Sequence, residues 1–115
     1  MASIYVAYIN ATPDHPGECR DIISKQKEIL FNFVKDKGGS IISTIIEPPN
    51  KSFVLVKLPY AIALCQTRGA NLLISSCDVL GREYDVTYKM LKYFVGITSC
   101  DPDGECRVCS LYQNP

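Results

Sequence analysis

The sequence predicts an α/β domain: a three-layer, mostly parallel sheet of four strands or slightly more, with helices on both faces. Three observations carry this. Short apolar, β-branched runs alternate with helix-length segments, which is the pattern of right-handed crossovers between parallel strands. The first run is apolar without alternation, as a strand buried on both faces requires. Glycine and proline punctuate most of the junctions.

The elements follow in order. Residues 3–9 (SIYVAYI) form the first strand, and Asn10 to Gly17, with two prolines and a glycine, a loop. A helix is expected from Glu18 to Lys37, with Ile22, Ile23, Ile29, Leu30, Phe33 and Val34 at helical spacing on one face. Arg20, Lys25, Lys27, Glu28, Lys35 and Asp36 occupy the other face, and Gly38-Gly39 ends the helix. Ser40 to Ile46 (SIISTII) is the second strand, broken by Glu47-Pro48-Pro49 into a loop towards Lys57. Pro59 suits the first turn of a helix continuing through Tyr60–Thr67 to Gly69. Asn71 to Ser75 is the third strand, and Asp78 to Arg82 a tight connection. Glu83 to Tyr93 has helical spacing, and Phe94 to Thr98 reads as the fourth strand. The domain is expected over residues 1–101, with residues 102–115 a cysteine-containing tail that has room for one short helix, Glu105 to Tyr112.

Composition narrows the function classes. At 115 residues the chain has room for one domain, and 47% hydrophobic with 21% charged residues is ordinary for a globular protein. No run of about 18 apolar residues predicts a membrane span. The apolar N-terminus lacks the basic start and small-residue cleavage site of a signal peptide, so a cytoplasmic protein is expected. Twelve basic residues balance 12 acidic ones, so this domain alone would bind DNA weakly, phosphate neutralisation being the main source of such affinity. Neither a Walker loop nor G-x-G-x-x-G follows the first strand; no nucleotide and no other cofactor is expected.

In a parallel sheet, ligands bind at the carboxyl ends of the strands, so the loops after Ile9, Ile46, Ser76 and Thr98 are the places to look for chemistry. Of the six cysteines, Cys19, Cys65 and Cys77 suit small core positions, whereas Cys100, Cys106 and Cys109 form a C-x5-C-x2-C cluster. Structural zinc needs four ligands, so these three would need His15 or a distant cysteine; reduced thiols or a disulfide are the alternatives. His15, between prolines, reads as an exposed loop residue. Most tyrosines (Tyr5, Tyr60, Tyr84, Tyr88, Tyr93) have the spacing of core and helix-face packing. Tyr8 is expected near the mouth of the strand-end site. Phe53-Val54-Leu55-Val56 is an apolar run that would either extend a strand or pair with another chain.

The stretch from Lys57 to Arg82 (KLPYAIALCQTRGANLLISSCDVLGR) resembles one segment of the serine recombinases, the resolvases and invertases. That family has an Arg-Pro-x-Leu helix start here, an alanine- and leucine-rich helix, a glycine, a hydrophobic strand and then Asp-Arg-Leu-x-Arg. Tyr5 to Asn10, the helix from about residue 18 and the Gly38-Gly39-Ser40 turn are in register as well, so the similarity spans about residues 3 to 101. The 57–82 segment is its specific part.

The resemblance implies a serine that attacks a DNA phosphate and arginines that neutralise the phosphoryl charge. This chain departs at those positions. Asn10 stands at the nucleophile, Tyr8 at the first-strand arginine and Val79 at the middle arginine of the motif, where Asp78 and Arg82 are kept. Lys57 stands where an arginine begins the second helix. Losing one oxyanion-type donor costs roughly a hundred- to a thousand-fold in rate; here two arginines and the nucleophile are missing together. Thr12, two residues on, would be displaced by several ångströms. Asp78 and Arg82 are either remnants of a site or a structural pair across a helix start. The family's long helix after the fourth strand and its DNA-reading domain have no counterpart in the residues present.

The expected function is therefore a non-catalytic recombinase-like domain acting through protein contacts, by self-association or by modulating a recombinase. The alternative is a DNA-binding or DNA-processing member that touches DNA through Lys57, Arg68 and Arg82 on the strand-end face. A decayed reading frame, or a metal-responsive protein using the C-terminal cysteines, are the further readings.

Overall fold

The computed structural model describes residues 3–10, 19–47, 55–75, 77–80 and 84–100. Its strands are β1 (Ile4–Asn10), β2 (Ser40–Glu47), β3 (Asn71–Ile74) and β4 (Ile97–Ser99), and its helices α1 (Cys19–Lys37), α2 (Leu58–Arg68) and α3 (Tyr84–Leu91). A short 3₁₀ turn, Cys77–Leu80, follows β3. All pairings are parallel and the strand order is β2-β1-β3-β4, as the α/β reading requires.

β1 is central, and its alternation sorts two cores. Tyr5, Ala7 and Ile9 join Leu73, Leu30 of α1 and Cys100 on one face, with Phe33 and Val34 against them. Val6, Tyr8, Leu72 and Ile74 pack on the other face against Leu58, Ala61 and Cys65 of α2, and against Val79, Leu80, Leu91 and Val95. Two helices on opposite faces thus leave β1 with no solvent side, which is why its sequence lacks polar alternation. Tyr5 meets Phe33 edge-on, with ring centroids 6.3 Å apart and planes at 81°.

Local chemistry fixes the junctions. Gly69 closes α2 at φ 67°, where the left-handed cap needs no Cβ. Gly39 sits at φ 124° beside the start of β1, and a Cβ there would lie 2.7 Å from the Ser3 carbonyl oxygen. β1 and β2 slip register between Tyr5 and Val6, which face Ile41 and Ser43, so Ile42 bulges from the edge strand and is exposed.

Several expectations shift. The fourth strand begins at Ile97 and not at Phe94, because Phe94 and Val95 donate backbone hydrogen bonds to Leu91 at 2.8 and 3.0 Å and prolong the last turn of α3. Ile29 is exposed, one position off the stripe through Ile23, Leu30, Phe33 and Val34. Tyr60 and Tyr93 are exposed and add nothing to the core. Of the 53–56 run, Leu55 packs against the α2-side core and Val56 is exposed; Phe53 and Val54 lie outside the described residues. So do Thr12, His15, Arg82, Cys106, Cys109 and the tail helix.

Cys100 is core and not a surface ligand: it is buried, its amide donates to Ile74 at 2.8 Å, and burial pushes its thiol up to about 12. Burial likewise pushes Cys65 to about 11 from 9.0. Both thiols keep their protons in the fold at pH values where the unfolded chain ionises, so stability is full below about 9 and falls as pH rises towards 11 and 12. Thermal unfolding followed from pH 8 to pH 11 should show a falling midpoint, with less of a fall in a Cys65→Ala, Cys100→Ala variant. Gly39→Ala, by contrast, should lower stability at every pH by about 1–3 kcal/mol, read from the urea midpoint.

Candidate functional site

Chain order and sheet order together locate the crevice. The chain leaves β1 for β2 on one side and then crosses to β3 on the other, so the carboxyl ends of β1 and β3 diverge at a topological switch point. Asn10 ends β1 there, Ser75 follows β3, and the 3₁₀ turn carrying Asp78 and Val79 closes the edge. This is the end where the sequence places the candidate chemistry.

Asn10 is tied on two sides. Its backbone N–H donates to Gln26 Oε1 at 3.2 Å, and Gln26 Nε2 donates back to the Asn10 carbonyl at 2.9 Å, so α1 meets the strand end through one buried amide. Its own Nδ2 donates to the Val79 carbonyl at 2.8 Å, which fixes the side-chain orientation. Oδ1 is buried with no hydrogen-bond partner among the described residues, where leaving such a group unpaired costs on the order of 1–3 kcal/mol. The residue is only 6% exposed. A carboxamide in this position offers a lone pair but no hydroxyl, and it holds a joint of the fold.

Tyr8 does not reach the crevice mouth. It is fully buried on the α2 side, and its hydroxyl donates to Glu47 Oε2 at 2.9 Å. Glu47 is buried too and accepts the backbone N–H of Lys57 on both oxygens, at 3.0 and 2.8 Å. Lys57 caps α2 in helical conformation with no side-chain cap of its own, so a carboxylate from the end of β2 does the capping. Burial, then the hydrogen bond and charge of Glu47, hold the Tyr8 phenol above its ordinary range.

The structure separates the remaining residues. Lys57 is exposed at the start of α2, near the strand ends, and contributes its backbone to the Glu47 clamp. Arg68 ends α2, which runs back against the strands, and lines one groove with Ile4 at the amino ends of the strands. Eleven residues of helix put it roughly 15 Å from Lys57, so the two cannot form one strand-end surface. Val79 is 6% exposed and packs in the α2-side core. Asp78 lies on the 3₁₀ turn, but its side chain, like Arg82, is outside the described residues. Among the described residues no cluster of histidine, cysteine or acidic side chains is placed to hold a metal.

Gln26 and Glu47 were not legible as site residues. Gln26 interrupts the apolar face of α1 between Ile23 and Leu30, and Glu47 is a lone acid closing an uncharged strand; those are the signals that point to them.

A parallel sheet ordered β2-β1-β3-β4 with its crevice at the β1/β3 ends defines a doubly wound α/β domain. More particularly, the chain has the fold of a serine recombinase catalytic domain. A solved structure, the C-terminal catalytic domain of ISC1926 TnpA, an IS607-like serine recombinase, superposes with a TM-score of 0.66 over 96% of this chain and 78% of that one. Sequence identity is 18%, so the likeness is one of fold. In that protein the catalytic domain is C-terminal, whereas the resolvase and invertase pattern places it first. No protein-family model and no curated protein matches the sequence. No helix among the described residues is long and apolar enough to cross a membrane.

Breaking the Glu47 clamp should be costly. Glu47→Ala strands two donors in the interior and should cost about 2–4 kcal/mol, Tyr8→Phe about 1–2 kcal/mol. Urea unfolding should show the double variant less destabilised than the sum, because both changes remove one hydrogen bond.

Proposed function

We propose that this chain is a recombinase-fold domain that does not cut DNA and that works by protein contacts, through self-association or by engaging a recombinase. The observation that carries the reading is the fate of three positions. The residues standing at the family's nucleophile and two of its arginines, Asn10, Tyr8 and Val79, are 6%, 0% and 6% exposed. Each has a structural partner: the Val79 carbonyl, the Glu47 carboxylate and the α2-side core. A phosphodiester would meet no arginine at any of them, and the one hydroxyl, that of Tyr8, is buried and donated to Glu47.

Two further features support protein contact over DNA contact. Val86, Met90, Tyr93 and Phe94 are all more than half exposed within nine residues of α3 and the turn after it, a concentration of apolar surface that suits an interface. The formal charge is zero, and Lys57 and Arg68 lie at opposite ends of α2.

Incubation with supercoiled plasmid should yield neither nicked DNA nor a covalent protein–DNA adduct. Asn10→Ser should stay inactive, since restoring the hydroxyl leaves the arginines missing; an adduct with either protein would sink the non-catalytic reading. Light scattering across a concentration series should report association that Met90→Asp with Phe94→Asp weakens. A wild-type chain that stays monomeric and retains no recombinase in pull-down overturns the protein-contact reading.

A further inference from the structure

The edge of the sheet opposite the switch point carries a groove. It lies between α2 and the start of β2, encloses about 510 Å³, and is lined by Ile4, Ile42, Ser43, Tyr60, Leu64 and Arg68. Tyr60, Leu64 and Arg68 are spaced four apart on α2 and so form one stripe along its length. The facing wall exists because of the register slip in β2, which turns Ile42 outward.

The chemistry of the lining is specific. Ile4, Ile42, Leu64 and the Tyr60 ring make about half of the wall and polar groups the other half, with two hydroxyls along it and a guanidinium at one end. No carboxylate lines the groove, and Arg68 has no hydrogen bond or ion pair among the described residues. An arginine fork at the end of a trough of mixed polarity is complementary to a carboxylate on an apolar stem. The volume falls in the range that a single small molecule fills.

We infer that the groove between α2 and β2 is a binding site for a small apolar monocarboxylate, its carboxylate against Arg68 and its stem along Ile4, Ile42, Tyr60 and Leu64. The site is independent of the functional reading above: it shares no residue with the strand-end crevice, and neither depends on the other.

Octanoate is the probe, followed by two-dimensional amide NMR on the intact chain. Saturable shifts at millimolar octanoate are expected at Ile42, Ser43, Leu64 and Arg68, with Asn10 and Gln26 unmoved. Arg68→Gln, at an exposed helix end, should weaken octanoate about tenfold while leaving octanol binding unchanged. Ile42→Ser, on the exposed bulge, should weaken both ligands. No saturable shift, shifts centred elsewhere, or equal octanoate affinity in Arg68→Gln overturns the site. A leucine-terminated hexapeptide that binds the groove more than tenfold tighter than octanoate, and loses that binding when its C-terminus is amidated, would replace the free acid with a peptide as the occupant.

Discussion

A carboxylate without solvent must be given donors, and Glu47 organises half of this fold by that requirement. It ends the edge strand, takes the Tyr8 hydroxyl from the central strand and takes the first amide of α2. One buried group therefore fixes three elements that are far apart in sequence, two strands and the helix that covers them. The helix N-terminus contributes its partial positive charge as well as an N–H, so the carboxylate is met by more than neutral dipoles. Burial of Leu58 and Ala61 against β1 and β3 follows from where that helix begins.

The opposite face is joined by a weaker device of the same kind. Gln26 matches the donor and acceptor of the Asn10 backbone, as a neighbouring strand would, and brings α1 to the end of β1. Asn10 Nδ2 then reaches the Val79 carbonyl and ties the 3₁₀ turn to the same point. The switch-point end of the sheet, where this architecture leaves room for ligands, is thus closed by side-chain hydrogen bonds.

Much of the fold was legible, because strands buried on both faces must be apolar throughout and amphipathic helices must show their stripe. Ile4–Asn10, Ser40–Glu47 and Leu58–Arg68 lie within a residue or two of where composition and punctuation put them. The fourth strand was misplaced at its start because Phe94 and Val95 look like strand residues, yet α3 retains them through backbone hydrogen bonds that leave no composition signal. The site was legible in what it lacks and not in what it has. That Asn10, Tyr8 and Val79 differ from a recombinase pattern is visible in the string of residues; that Tyr8 turns to Glu47, 39 positions away, is a property of packing. Arg68 was within reach of the pattern, since a crossover helix between parallel strands runs antiparallel to them and brings its C-terminus back to their amino ends.

The surroundings of the three positions decide whether an arginine or a serine would fit there. Tyr8 and Val79 are inside the core, so an arginine at either would bury a guanidinium beside Leu58, Leu72 and Ile74 with no acidic partner among the described residues except Glu47, whose oxygens already hold Lys57. Burying such a charge unpaired costs several kcal/mol, a large share of the stability of a domain this size. A serine at residue 10 would surrender the bond to the Val79 carbonyl and still face no cationic group at residue 79. Placing a serine and two arginines at these positions would require the two core positions, the Glu47 clamp and the Asn10 tie to change together. Asn10 Oδ1 is the buried side-chain atom without a partner among the described residues, so this is where the joint keeps unmet hydrogen-bonding capacity.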